Sequence, residues 1–396
     1  MEAVPLVNAF GDRRVHFAVG EDIPAVIESV RKLLPTIMSS HLNLFQHRPS
    51  LSLYPGYYQR VSEEIQHLLT HTQAEFQLML QSGPRLQENM WRNLPKMIGQ
   101  AGICHVENRF RNIPAFVVAA GPSLNRNLSG LSHIKESGLI LCVDTSYKVL
   151  EQAGITPHAV VATDPTELNE RHFHGLAMPQ GPVLAFDPEV YFTIPATVPW
   201  PGLVMNLDKC ATTRWFERTF GHWGVIEKGG SVANTAFLLA RAMGCDPIVL
   251  VGLDLAYDPK GGASHAEGTA LARRFDAPAG GSSSVVMAPH AATKNELNEN
   301  LVWVDGVFGS KVPTSQIMSL YIHKFEEHAS MSGIRVIDAT EGGALIHGTE
   351  VLPLSEAVAE ICQEDRNVRG RLAEAMESRS AVDRSHVREA IGRVGE

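Results

Sequence analysis

The chain has 396 residues and a formal net charge of −9, longer than the roughly 250–300 residues at which a single core stops growing, so two or three structural units are expected. The acidic balance argues against nonspecific binding to nucleic acid or an anionic membrane surface, though not against a local basic pocket, and Arg241 and Asp246 interrupt the most apolar candidate for a membrane span. The start, MEAVPLVNAFGDRRV, lacks the basic region and apolar core of a secretory signal, so a cytoplasmic protein is expected, and five widely spaced cysteines without a CxxC pair read as buried reduced thiols.

Residues 1–108 read as a helical N-terminal region, with helical patterns over Ile23–Leu34, Tyr58–Leu80 and Leu86–Ile98, an N-cap at Ser62, and Pro49, Pro55 and Pro84 as punctuation. His67 and His71 stand four apart there, a spacing that suits a metal, but no third ligand accompanies them and a solvated helix face explains them better.

From Ile113 the pattern turns to βα repeats, and residues 109–350 read as an α/β domain. Ala115–Ala119 is a continuous apolar run, as expected for a strand covered on both faces. It enters the turn Gly121-Pro122-Ser123-Leu124, in which the glycine permits close approach and Ser123 suits an N-cap. That turn reads either as a structural αβ joint or as an anion site at a helix N-terminus. Strands at Leu139–Val143 and His158–Ala162 then run into Asp144 and Asp164. Each acid could cap the next helix, but together they lie on the carboxyl edge where open parallel sheets bind ligands.

Short strands follow at Val183–Phe186 and Leu203–Asn206. Lys228-Gly-Gly-Ser-Val-Ala-Asn234 is a second anion-receptive helix start, with Gly230, Ser231 and Asn234 in its first turn, and Gly244 ends that helix. The buried strand after Asp246 delivers Asp254, followed by Tyr257. About seven such strands alternating with helices specify a Rossmann-like, mostly parallel sheet with flanking helices. Residues 258–310, with Gly261-Gly262 and Pro278–Ser284, read as a long loop or lid carrying His265, which can titrate near neutrality and serve as a general base or simply sit at the surface. A helix over Thr314–Met331, a strand over Ile334–Ile337 and a small-residue turn follow; 351–396 reads as a charged helical tail.

The ordered series WRNLPKM (Trp91–Met97), PAFVVAAGPSL (Pro114–Leu124), ATDP (Ala162–Pro165), GGSVANTA (Gly229–Ala236), GCDPIVLVGLDLAY (Gly244–Tyr257), SHAEGT (Ser264–Thr269), VPT (Val312–Thr314) and DATEGGALIHG (Asp338–Gly348) resembles the Maf, or motility accessory factor, glycosyltransferases. These share their domain with the MptE-like hydroxymethylpterin diphosphokinases, and their core is similar to that of bacterial sialyltransferases. The resemblance implies transfer of a nonulosonic acid from a CMP-activated donor to Ser or Thr of flagellin. It implies that Gly121, Pro122, Ser123 and Leu124 face the donor phosphate, with Asp144, Asp164, Gly230, Ser231 and Asn234 in the same nucleotide site. It makes His265 the acceptor base, with Asp254 and Tyr257 holding sugar or nucleotide groups and Tyr257 able to donate to the leaving phosphate. No metal or other cofactor is required for an activated CMP donor, and the sequence has no D-x-D motif. Two other readings stay open: an MptE-like diphosphokinase using ATP and magnesium, with Asp144, Asp164 and Asp254 near the metal, and a non-catalytic accessory protein that binds flagellin. A homo-oligomer is compatible with each.

Overall fold

The computed structural model describes residues 22–37, 47–175, 181–207, 210–258, 263–270, 273–276, 284–287, 301–331 and 333–377. The chain start, the Gly261-Gly262 pair, most of the Pro278–Ser284 run, the tail beyond residue 377 and the side chains of His67 and His71 lie outside what is described. The chain divides into two compact units, Met1–Arg85 and Leu86–Glu396.

The first unit contains α1 (Ile23–Ile37), α2 (Arg48–Leu53) and most of α3 (Pro55–Met97). Helix α3 is continuous for 43 residues, so Ser62 is an interior residue rather than an N-cap and Pro84 does not divide the helix. A proline removes one backbone donor, and although Ser82 and Gly83 before it are weak helix formers, the good formers Leu78–Gln81 and Arg85–Glu88 flank the weak point and the helix runs through it.

The second unit begins with β1 (Ala101–Gly102) and α4 (Ile103–Val106) and then alternates strand and helix: β2 (Ala115–Val118), α5 (Leu124–Leu131), β3 (Leu139–Val143), α6 (Asp144–Gln152), β4 (Ala159–Ala162) and a 3-10 segment, Glu167–His172. There follow β5 (Val183–Phe186), α7 (Thr193–Thr197), β6 (Gly202–Val204), α8 (Ala211–Phe220), α9 (Val232–Ala242) and β7 (Ile248–Val251). Two antiparallel pairs come next, β8 (Arg273–Asp276) with β9 (Ser284–Met287) and β10 (Leu301–Asp305) with β11 (Lys311–Ser315). The chain then forms α10 (Gln316–Met331), β12 (Val336–Asp338), β13 (Glu350–Val351), α11 (Leu354–Ile361) and α12 (Val368–Glu377). Residues 258–310, expected as one irregular loop, thus hold the whole β8–β9 pair and the first strand of the β10–β11 pair, and Thr314 and Ser315 belong to a strand rather than to the helix after them.

Nine strands form one parallel sheet in the order β1-β6-β5-β4-β3-β2-β7-β12-β13. Its central strands are buried on both faces, which explains their unbroken apolar runs. Ala115, Val117, Leu139, Leu141, Ile248 and Leu250 pack into one core with α9. Phe116, Val118, Ile140, Cys142, Val249 and Val251 pack into the other, with α5, α6 and Met90, Leu94 and Met97 of α3. At roughly 1.5–3 kcal/mol for each large side chain buried, these alternating layers fix the register. Leu354 of α11 and Leu372 of α12 are buried in these cores as well, so the helices after residue 350 pack into the sheet unit.

From β2 the chain moves to β3 and outward to β6; it returns on the other side of β2 as β7 and continues to β12. The order therefore reverses between β2 and β7, and the crevice above the carboxyl ends of those two strands is where this class of sheet takes its ligands.

Candidate active-site cleft

The two turns that flank the reversal point are joined directly. The Gly121 amide donates to the Gly252 carbonyl at 2.7 Å, and the amide and hydroxyl of Ser123 donate to Asp254 Oδ2 at 3.2 and 2.7 Å. Gly121 is required at this closure, because a Cβ there would stand 2.0 Å from Asp254 Oδ2. Ser123 does not cap α5, and the Leu124 amide turns back onto the Gly121 carbonyl. The expected open anion site at the Gly-Pro-Ser-Leu turn is therefore replaced by a joint whose amides are satisfied internally, with Asp254 as the anion it holds.

Asp254 is buried, and burial raises its carboxyl to about 6 despite the opposing bonds from Ser123 and the nearby Arg126. Its backbone is pinned from the far side: the Ala344 amide donates to its carbonyl at 2.8 Å, and the Thr340 hydroxyl accepts from the Leu253 amide at 3.3 Å. The Tyr257 amide is tied to the Pro313 carbonyl of β11, and Thr314 Oγ1 donates to the Leu255 carbonyl at 2.7 Å.

A cleft of about 370 Å³ lies over this joint and is lined by Gly121, Asp144, Ser231, Asp254 and His265 together with Val232, Ala233, Ser264 and Tyr321. The first five come from five different segments of the chain. Ser231 is the N-cap of α9, accepting from the Asn234 amide at 3.1 Å, so the helix opens onto the cleft through Val232 and Ala233. The segment 263–270 reaches the cleft because the Ala266 amide bonds the Ala120 carbonyl and the Glu267 amide bonds Asn125 Oδ1. His265 Nδ1 lies 2.9 Å from Ser264 Oγ.

Asp144 stands at the end of β3, next to the glycine-turn strand. Its Oδ1 accepts from the amide and hydroxyl of Thr145, while Oδ2 is buried with no hydrogen-bond partner among the described residues. Burial, reinforced by the charge of Asp164, raises its carboxyl to about 6, against neighbouring Asn169 and Thr145. Both polar atoms of the Asn234 amide are likewise buried without a partner among the described residues. Unpaired buried polar atoms are costly, at about 1–3 kcal/mol each; of these two residues, Asp144 lines the cleft and Asn234 lies behind the helix start that opens onto it.

Not all the expected residues face this cleft. Pro122 and Tyr257 line a second, larger cavity on the other side of Asp254. Leu124 and Asn234 are fully buried, and Ser123 acts through Asp254. Gly230 and Asp164 line neither space; Asp164 Oδ1 accepts from the amide and hydroxyl of Thr166, a local turn. Two residues, Asn169 beside Asp144 and His172 within electrostatic reach of His265, gave no signal in the sequence. Asn169 and His172 come from the polar 3-10 segment, and His172 is held down to about 4 by burial and by the charges of Arg171, Lys148 and His265.

Residues 88–260 match the family model described as 6-hydroxymethylpterin diphosphokinase MptE-like. No curated protein matches the sequence. A solved structure of the MAf glycosyltransferase from Magnetospirillum magneticum AMB-1 superposes with a TM-score of 0.52 at 17% identity, over 78% of this chain and 45% of that one. The chain thus spans less than half of that protein, and the likeness is one of fold. Among the described residues no helix is long and apolar enough to cross a membrane.

Proposed function

The chain carries an MptE-like domain over residues 88–260 on a fold shared with a Maf glycosyltransferase, and from that premise we propose that it is a group transferase using a nucleotide-activated donor, with a CMP-activated nonulosonic acid as the group donor and flagellin Ser or Thr as acceptor. One observation carries this reading: Gly121, Asp144, Ser231, Asp254 and His265 converge on a single cleft at the point where the strand order reverses. The amides that open α9 suit the donor phosphate. Asp144 Oδ2, buried and unpartnered among the described residues, suits a hydroxyl of the donor. His265 takes the acceptor proton as the acceptor oxygen bonds the anomeric carbon and the bond from that carbon to the CMP phosphate breaks. Tyr257 lies on the other cavity, so no role at the leaving phosphate is assigned to it.

A second reading has its own support. The family model matched over residues 88–260 is that of an MptE-like diphosphokinase, and Asp144 and Asp254, both in the lining of the cleft, are carboxylates that would suit a magnesium ion bound with ATP. Thermal shift with CMP, CDP, ATP and ATP plus magnesium separates the two, because a ligand that binds only the folded state raises its stability. Stabilisation by CMP supports the glycosyltransferase; stabilisation by magnesium ATP alone overturns it. Survival of flagellin glycosylation in H265A, S123A and D254N together would favour a non-catalytic accessory protein.

A further inference from the structure

A cavity of about 660 Å³, larger than the cleft, lies beyond Asp254 and is walled by the turn of the β10–β11 hairpin and by the turns after β12 and β13. Asp254 is the residue common to the linings of both spaces. Its two oxygens face different ways: a Cβ on Gly121, in the cleft, would meet Oδ2, whereas a Cβ on Gly342, in the cavity, would stand 3.2 Å from Oδ1. The residues after Asp254 and before Gly342, Leu255 and Glu341, both hold positive φ, 45° and 58°. Strained backbone of this kind persists where the surrounding structure enforces it, and such positions cluster at ligand sites. Glu341 is enforced from two sides, its Oε1 accepting from the Leu354 amide at 2.9 Å and from Asn127 Nδ2 at 3.1 Å.

We infer that this cavity is the acceptor subsite, binding the body of a neutral or cationic, hydroxyl-bearing second substrate whose hydroxyl passes over Asp254 into the cleft. The inference rests on the transferase reading above. The wall chemistry sets the substrate class. Val307, Phe308, Val312 and Leu352 supply an apolar surface. Among the described lining residues, Asp254, Asp258 and Glu341 outnumber the one cation, Arg126, whose guanidinium already donates to the Glu341 carbonyl at 2.8 Å. An anionic body is therefore disfavoured, and an apolar one without negative charge fits. Phe308 stands 77% exposed on the hairpin turn, placing an aromatic surface at the mouth where a bound chain would leave the cavity.

The test follows CMP release from a CMP-nonulosonate donor, with and without a synthetic threonine peptide flanked by neutral apolar residues, and compares an acidic version of that peptide. Val307→Arg and Ser310→Trp alter the exposed hairpin turn without touching Asp254, and the CMP-induced rise in melting temperature reports that each variant is folded with its donor cleft formed. The neutral peptide should accelerate CMP release by the wild type, the acidic peptide less, and both variants should lose that acceleration by about tenfold or more. Folded variants that keep the full acceleration overturn the assignment of the cavity, and equal acceleration by the acidic peptide overturns the substrate class. A wild type that neither gains stability from CMP nor releases it overturns the transferase reading, and this inference with it.

Discussion

The Ser123 hydroxyl and Asp254 Oδ2 are 2.7 Å apart, and this bond closes the turn after β2 onto the turn after β7. A buried carboxyl with one short hydroxyl bond and one amide bond is held in a fixed direction, which a residue shared between two binding spaces requires.

Ser123→Ala removes the stronger of those two bonds and leaves Asp254 Oδ2 with the amide alone. The protein should lose about 1–3 kcal/mol of stability. Because the Ser123 bonds lower the Asp254 pKa against burial, their loss should push that carboxyl further up. Urea unfolding and the acid limb of the activity profile measure the two effects. An unchanged acid limb alongside the expected destabilisation would show that Asp254 does not govern the activity.

The pH dependence of stability should separate the carboxyls from the histidine. Asp144 and Asp254 titrate at about 6 in the folded protein against 3.8 ordinarily, so between those values the folded state binds more protons and stability falls as pH rises through the window. The full effect for Asp144 is on the order of a few kcal/mol. Asp144→Asn abolishes its share, and the melting temperature of that variant relative to wild type should climb between about pH 4 and 6 and then level off. His172 has the opposite sign. Its folded value of about 4 lies below the ordinary 6.5, so its contribution is present above the ordinary value and is lost as pH falls toward the folded one. His172→Asn should flatten the acid side of the stability curve, read by scanning calorimetry across the same range.

The sheet was legible because its central strands are buried on both faces, which forces continuous apolar runs such as Leu139–Val143, and because a strand that ends in a ligand edge ends in a polar residue. Asp144 and Asp254 were visible for that reason, Ser231 through the glycine-serine start of α9, and His265 as a titratable residue on the loop that leaves the ligand edge. Asn169 and His172 were not, since a short 3-10 segment has neither a period nor a cap pattern to set it apart from a loop. The role of Ser123 was also hidden. A serine after a glycine turn has the composition of an N-cap, and only the packing of β7 against β2 shows that its hydroxyl goes to a carboxylate 131 residues away. The β10–β11 hairpin is missed when 258–310 is read as one glycine-rich loop, although Val302, Trp303 and Val304 are strand formers and Asp305-Gly306 is a hairpin-turn pair.

Asn234 presents a test of whether polar groups are stored for a ligand. Both its side-chain polar atoms are buried without partners among the described residues, so Asn234→Leu removes two unpaired groups at nearly constant volume. Such a replacement is close to neutral or stabilising for the folded protein. The expected outcome is a melting temperature at or above wild type, with the CMP-induced shift lost. Retention of the full shift would make Asn234 a structural residue with no part in the site.

Gly121, which lines the cleft, and Gly230, which precedes the α9 cap Ser231 but lines neither space, should respond differently to a methyl group. A Cβ at Gly121 would lie 2.0 Å from Asp254 Oδ2 and 2.6 Å from the Gly252 carbonyl, so Gly121→Ala must break the joint between the two turns. Gly230 has φ of +86° but no described atom within 4 Å of an added Cβ, so Gly230→Ala meets backbone strain alone, about 1–2 kcal/mol. Gly121→Ala should therefore lose both stability and nucleotide-induced stabilisation, and should lose more than Ser123→Ala because the Gly121 amide bond goes as well. Gly230→Ala should lower the melting temperature by a few degrees, as a deficit of that size does, and keep its response to CMP. Equal and mild losses in the two variants would mean that the turn after β2 yields to an added methyl group, and that the Ser123–Asp254 bond is not what holds the cleft in shape.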